Sequence, residues 1–349
     1  MINIPTDPPE TSATWMGAEL AASPQRWTRH WSDQELADLF DLTHLHLDGD
    51  LTNLDVAADA SPRLLAMADE IRSELISGLR FVLIKGYPVG AVDRRLEAVG
   101  FLVFGRLLGT LRSQNAAGHI LGHVRDVGGD LADPGTRIYQ TNERQSFHTD
   151  STDAVGLLCR KTARSGGRSQ LASAETAYRI MSERRPDLAP LLFEPIATDR
   201  RGEVPEGADP WFEIPVLSWF DGQLTVIYQR TYVDSASRFV DAPQPTAGQV
   251  EALDCWDSII NEPDVHLIMD LEPGDMQFVY NHSLLHDRTA FVDHAEPEDR
   301  RHLLRLWVSL PGDRALPPVF AQRYGPLADG NRGGIMLADT TLSVSLDQG

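Results

Sequence analysis

Turn-forming pairs punctuate the chain from Asp126 onward, at Gly128-Gly129, Asp133-Pro134-Gly135, Gly166-Gly167, Asp221-Gly222 and Pro273-Gly274-Asp275, with short apolar runs between them. Glycine admits positive φ and proline fixes it, so regular elements end at such points. Short strands joined by turns predict a β-sandwich. The clearest hairpin spans Pro215–Tyr232, where Asp221-Gly222 supplies the positive φ angles of a two-residue turn between apolar segments.

Helices flank and interrupt this pattern. Leu64, Ala68, Ile71 and Leu75 recur at three- and four-residue intervals after Ser61-Pro62, the period of an amphipathic helix that Gly78 ends. Phe81-Val-Leu-Ile then reads as a strand buried on both faces. A helix over about 92–107 follows, with two more over about 174–182 and 247–260, the last turning Val250, Leu253 and Trp256 inward. The first 60 residues are polar with scattered Trp15, Trp27 and Trp31, and read as a short helical N-terminal cap. No internal repeat or long linker divides the 349 residues, so a single domain is expected.

Composition narrows the function. Hydrophobic residues at 42% and charged residues at 23% suit a globular chain rather than a disordered one. A formal net charge of -20 repels phosphate backbones and anionic lipid, which argues against nucleic acid and membrane partners. Two cysteines, no signal-peptide pattern at the start and no apolar run of membrane-spanning length lead us to expect a soluble cytoplasmic protein. A homo-oligomer is compatible with all of this.

The segment Phe147-His148-Thr149-Asp150 carries the chemistry. In a strand, side chains alternate faces, so His148 and Asp150 would project together. A third ligand would complete the two-His, one-carboxylate face that binds Fe(II) and leaves positions open. His282 and His286 are both candidates. Their spacing of four also occurs in helical zinc motifs, but Ser283 stands where a metalloprotease places its Glu. Farther on, Arg301 and Arg305 would share one strand face with Leu303. Such guanidinium groups either grip a carboxylate or simply protect an exposed strand edge.

His148-Thr-Asp150, Ser165-Gly-Gly-Arg-Ser169, Pro273-Gly-Asp275, Asn281-His-Ser-Leu-Leu-His286-Asp-Arg-Thr-Ala-Phe291 and Arg301-His-Leu-Leu-Arg305 occur in that order. The set, spanning about Leu79 to Trp307, resembles the taurine dioxygenase and clavaminate synthase-like family. The resemblance implies an α+β, mainly β chain with a double-stranded β-helix (jelly roll) core over 79–310, helical insertions and flanking helices. It implies an Fe(II)- and 2-oxoglutarate-dependent dioxygenase that uses O2 to oxidise, in the first instance hydroxylate, a small molecule. His148, Asp150 and His286 match the iron ligands, leaving His282 as a supporting or core histidine. Arg301 matches the arginine for the remote carboxylate of 2-oxoglutarate, Ser169 its hydroxyl partner, and Arg305 a position facing substrate or co-substrate. Related halogenases lack the carboxylate ligand, so Asp150 favours hydroxylation.

Substrate candidates are Asn115, His123, Arg125 and Asp126 in a Gly-rich stretch that reads as a lid or a surface loop, together with Tyr139 and Asn142. Trp211, Trp219, Tyr228 and Trp256 read as core. Two other functions fit these residues less well. A zinc hydrolase needs a general base that no motif supplies, and a non-catalytic jelly-roll binding protein would have no use for three filled ligand positions.

Overall fold

The computed structural model describes residues 10–129 and 137–346. Its centre is a pair of facing sheets. The major sheet has seven strands, in the order Thr28–His30, Phe81–Lys85, Met276–Tyr280, Ala154–Lys161, His302–Ser309 and Thr110–Arg112, with Leu121–Val124 also paired to His302–Ser309. The minor sheet orders His266–Met269, Ser169–Ser173, Leu284–Arg288 and Gln145–His148, all antiparallel.

Alternation along the strands explains the layering. Phe81, Leu83, Val155, Cys159, Val279, Leu303 and Trp307 face inward and meet Leu171, Leu267, Met269 and Leu284 of the minor sheet. The opposite parity, Val82, Ile84, Leu158, Phe278, Leu304, Leu306 and Val308, packs under the helices Asp33–His46, Pro62–Ser77 and Arg94–Leu108. The outer face of the minor sheet is covered by the helices Ala174–Arg184 and Ala247–Ile260. Helices outside two apposed sheets form the α+β jelly roll that the motifs led us to expect.

Local chemistry sets the boundaries. Ser61 caps the helix Pro62–Ser77 by accepting from the Leu64 amide, and Leu64, Met67, Ala68, Ile71 and Leu75 form its buried stripe. Thr246 and Gln249 form a reciprocal capping box at the start of Ala247–Ile260. Leu253 and Trp256 of that helix point inward, whereas Val250 is exposed, because the buried stripe runs through Ala252, Ile259 and Ile260 instead.

Other expectations are corrected. The hairpin turn at Asp221-Gly222 forms, with φ of 48° and 74°, but its strands are only Leu217–Phe220 and Gln223–Val226. Tyr232 belongs to the helix Arg230–Ala236. The N-terminal segment is more than a cap. Thr28–His30 adds a parallel strand to the major sheet, and Trp15 and Trp27 pack tilted against Phe81, with ring centroids 5.7 and 5.9 Å apart. The Gly-rich stretch is no lid, since Leu121–Val124 is a strand of the major sheet. The turn at Asp133-Pro134-Gly135 lies outside the described residues.

Candidate active site

His148 and His286 face each other across a rung of the minor sheet, their ring centroids 4.1 Å apart. The strand Gln145–His148 ends there, so strand alternation does not place Asp150; the following turn does. The turn is tied down closely. The Asp150 amide donates to Asn281 Oδ1 at 3.0 Å, and the Trp307 indole N–H donates to Asp150 Oδ2 at 2.9 Å. The Asp150 oxygens come to 3.9 Å from His148 Nε2 and 3.7 Å from His286 Nε2. One ligand atom from each residue fits within 4.8 Å of the others.

Protonation states suit a cation. Burial pushes the His148 imidazole down, and burial with the neighbouring His148 pushes His286 to about 3. Burial alone would raise the Asp150 carboxyl, but Arg305, His286, His148 and the Trp307 N–H outweigh it and hold the pKa below its usual value. Two neutral imidazoles and one carboxylate result, the forms that ligate. His148 Nδ1 donates to the Ser146 carbonyl at 2.9 Å, which leaves the Nε2 lone pair for bonding.

Two cavities meet at these groups. The inner one, of about 490 Å³, is lined by Tyr139, Ser169, Gln277, His286, Arg288, Arg301 and Arg305 among others. Arg301 is 4% exposed, so the strand-edge reading of this basic segment fails. Its Nη1 has no hydrogen-bond partner among the described residues, and burial lowers the guanidinium to about 10. A Cβ on Gly167 would lie 2.9 Å from Arg301 Nε at a φ of +69°, so glycine there makes room for the guanidinium. Ser169 Oγ lies 3.5 Å from Gln277 Oε1 on the same wall. A buried cation with an unused donor beside a hydroxyl fits a carboxylate.

The outer cavity, of about 860 Å³, runs from His148, Asp150 and Arg305 past Ile196, Phe212, Ile214, Val216 and Ile227. Arg137 and Arg323 also line it and approach Glu203 at 3.3 and 3.6 Å. Tyr139 lines both cavities, its ring 4.6 Å from the Arg305 guanidinium.

The remaining substrate candidates stand elsewhere. Asn115 bonds His119, His123 bonds His302 and the Ser345 carbonyl, and Asp126 caps Gly128. Asn142 offers its carbonyl to the Phe291 amide. None of these four, nor Arg125, lines either cavity. Trp256 and Tyr228 are core as expected, and Tyr228 also lines the outer cavity.

Several site residues went unread. Gln114 lines the outer cavity, accepting from Arg305 Nε at 2.7 Å. Trp307 and Arg288 follow the inward parity of Arg305 and His286, a signal the sequence did contain. Gln145 lines both cavities. A second group, Asp153, His282 and Asp313, also has metal-like spacing, but the Arg332 guanidinium bonds Asp153 and Asp313 at 2.7 Å each, which makes it an ion-pair network.

Comparisons with known proteins show the family and the fold. FR-33289 synthase of Streptomyces rubellomurinus (strain ATCC 31215) is 31% identical over 332 residues, covering 93% of this chain and 97% of the relative. A uridine-5'-phosphate dioxygenase of Amycolatopsis sp is 31% identical over 183 residues, 50% of this chain and 64% of the relative. Among solved structures, asparagine oxygenase in complex with Fe(II), 2S,3S-3-hydroxyasparagine and succinate matches with a TM-score of 0.63 at 16% identity, covering 81% of this chain and 93% of that one. The non-heme iron oxygenase OrfP with Fe and alpha-ketoglutaric acid matches with a TM-score of 0.60 at 14% identity, covering 80% and 93%. These two share the fold. The model of the taurine catabolism dioxygenase TauD, TfdA family matches residues 49–307, and the chain belongs to that family.

Proposed function

We propose that this chain is an Fe(II)- and 2-oxoglutarate-dependent dioxygenase that hydroxylates a small molecule, with His148, Asp150 and His286 as the iron ligands. The observation that carries this reading is the meeting of those three groups where two cavities join, one of them ending on the buried, under-bonded Arg301. Bound iron supplies the O2 chemistry by which 2-oxoglutarate is converted to succinate and CO2 while one oxygen atom enters the substrate.

The protein's own part is placement. Arg301, aided by Ser169, holds the remote carboxylate of 2-oxoglutarate in the inner cavity, where little water competes. Trp307 fixes one oxygen of Asp150, and Asn281 fixes its backbone. Arg305, stacked on Tyr139 and 3.8 Å from Asp150 Oδ2, stands between co-substrate and substrate. The apolar walls of the outer cavity select the body of the substrate, and Arg137 and Arg323, sharing the single carboxylate of Glu203, favour an acidic group on it. Small amino-acid products in the asparagine oxygenase and OrfP complexes support a substrate of that size. Thr28–His30 joins the major sheet, and the Gly334 and Ile335 amides donate to the Ser151 and Ser113 carbonyls, which supports one functional domain over the whole chain. No residue lining the cavities supplies a separate reason to prefer a zinc hydrolase.

A succinate-release screen over amino acids, sulfonates, small acids and natural-product intermediates tests the proposal. The expected result is succinate formed in step with a product heavier by one oxygen atom, dependent on Fe(II) and 2-oxoglutarate. Failure of the purified protein to bind Fe(II) and 2-oxoglutarate together would overturn it.

A further inference from the structure

The two histidines of the proposed iron site are rungs of the minor sheet; Asp150 is not. It lies two residues past the end of its strand, on the turn 150–153, so apart from the Trp307 N–H its carboxylate is only as fixed as that turn. Much of the fixing comes from residues 313–346, beyond the stretch 49–307 that the family model matches. The Gly334 amide donates to the Ser151 carbonyl at 2.7 Å, and Arg323 Nε donates to Ser151 Oγ at 2.8 Å. The Tyr324 hydroxyl reaches the Asp150 carbonyl at 3.5 Å.

Arg332 anchors the far side of the turn. It is wholly buried, and donates through Nε to Asp153, through Nη2 to Asp313 and through Nη1 to the Arg314 carbonyl, at 2.7, 2.7 and 2.6 Å. Asp153 also bonds His282, Ser309 and the Leu310 amide. Such a network admits one arrangement, because any shift leaves a buried charge without its partner. Gly333 passes so near that a Cβ would lie 2.7 Å from the Ser151 carbonyl oxygen. These contacts converge on the one ligand turn that no strand ladder holds.

We propose that the segment 313–346, acting through Arg332 and Arg323, is a positioning device that holds the Asp150 carboxylate against the two imidazoles and thereby sets metal affinity. This rests on the ligand assignment made above. Supporting groups around a metal ligand typically change affinity 10- to 100-fold when lost.

The test is titration of the metal-free protein with Co(II), read by calorimetry and by the visible ligand-field spectrum. Arg323→Gln and Arg332→Met are made alone and in the Asp150→Ala background. Each single variant is expected to bind Co(II) about 10-fold more weakly with an altered spectrum, and to add no further loss once Asp150 is gone. Affinity and spectrum unchanged in the single variants, or equal losses in both backgrounds, would overturn the proposal. Should Arg332→Met fail to fold, Arg323→Gln decides, since it removes only one contact to the turn. A parent protein that binds no Co(II) would sink the ligand assignment instead, so the two failures are distinguishable.

Discussion

The carboxamide Nε2 of Gln145 lies 2.8 Å from Nε2 of His148, although residues three apart in a regular strand face opposite ways. The ladder explains it. His148 pairs with His286 while Gln145 pairs with Arg288, so the four residues 145–148 oppose the three residues 286–288, and this bulge turns Gln145 onto the histidine's face.

His148 Nε2 can accept from the carboxamide or bind a metal, but not both at once. Gln145→Ala removes a competitor whose net hydrogen bond contributes about 1 kcal/mol, so metal affinity should rise roughly fivefold. Calorimetric titration checks this. Weaker binding in the variant would mean that Gln145 supports the metal rather than competing with it.

The glycine beside Arg301 gives a second prediction. In Gly167→Ala the new methyl group meets the guanidinium and adopts a left-handed φ, costing about 1–2 kcal/mol in backbone conformation alone. Binding of 2-oxoglutarate should weaken at least tenfold while Fe(II) binding changes little, as it should in Arg301→Gln, where a charged hydrogen bond of about 1.5–3 kcal/mol is lost. Equal losses of both ligands would point to a folding defect.

Anaerobic addition of Fe(II) and 2-oxoglutarate should give the weak visible charge-transfer band of the chelated complex. His286→Ala should abolish it, because neither His282, fully buried against Asp153, nor any other described histidine can replace the lost ligand. A band that persists in the variant would remove His286 from the ligand set.

Acid should destabilise the metal-free protein early. Burial and the His123 imidazole hold His302 at about 3, and His286 is held at about 3 by burial and His148. The unfolded chain, with ordinary histidines near 6.5, binds these protons first, so the stability is complete above 6.5 and is lost as the pH falls toward 3. Each group contributes up to about 1.4 kcal/mol per pH unit in that window. Denaturant midpoints measured between pH 7 and pH 4 should fall; a flat profile would contradict the low values for both histidines.

The sequence made parts of this site readable and concealed others for physical reasons. Arg301, Leu303 and Arg305 share a face because strand alternation is local, and the structure keeps it. His148 and Asp150 do converge, yet the alternation used to expect this stops at His148, and a turn held from residues 313–346 completes the work. Gln145 was invisible because a bulge is a property of two paired strands. Gln114 reaches Arg305 whereas its neighbour Asn115 bonds His119, a matter of which way one side chain turns at the strand's end. Arg332 carries no motif; its role comes from Asp153, 179 positions away in the chain.

The three-residue strand Thr28–His30 has a consequence for handling the protein. It covers the open margin of Phe81–Lys85, an apolar five-residue strand, and at the other margin Thr110–Arg112 and Leu121–Val124 are also short. Neither margin therefore offers a foreign chain a long template for pairing. Deleting the residues through Trp31 would uncover such a template, and the shortened protein should precipitate or form fibrils where the parent stays dispersed.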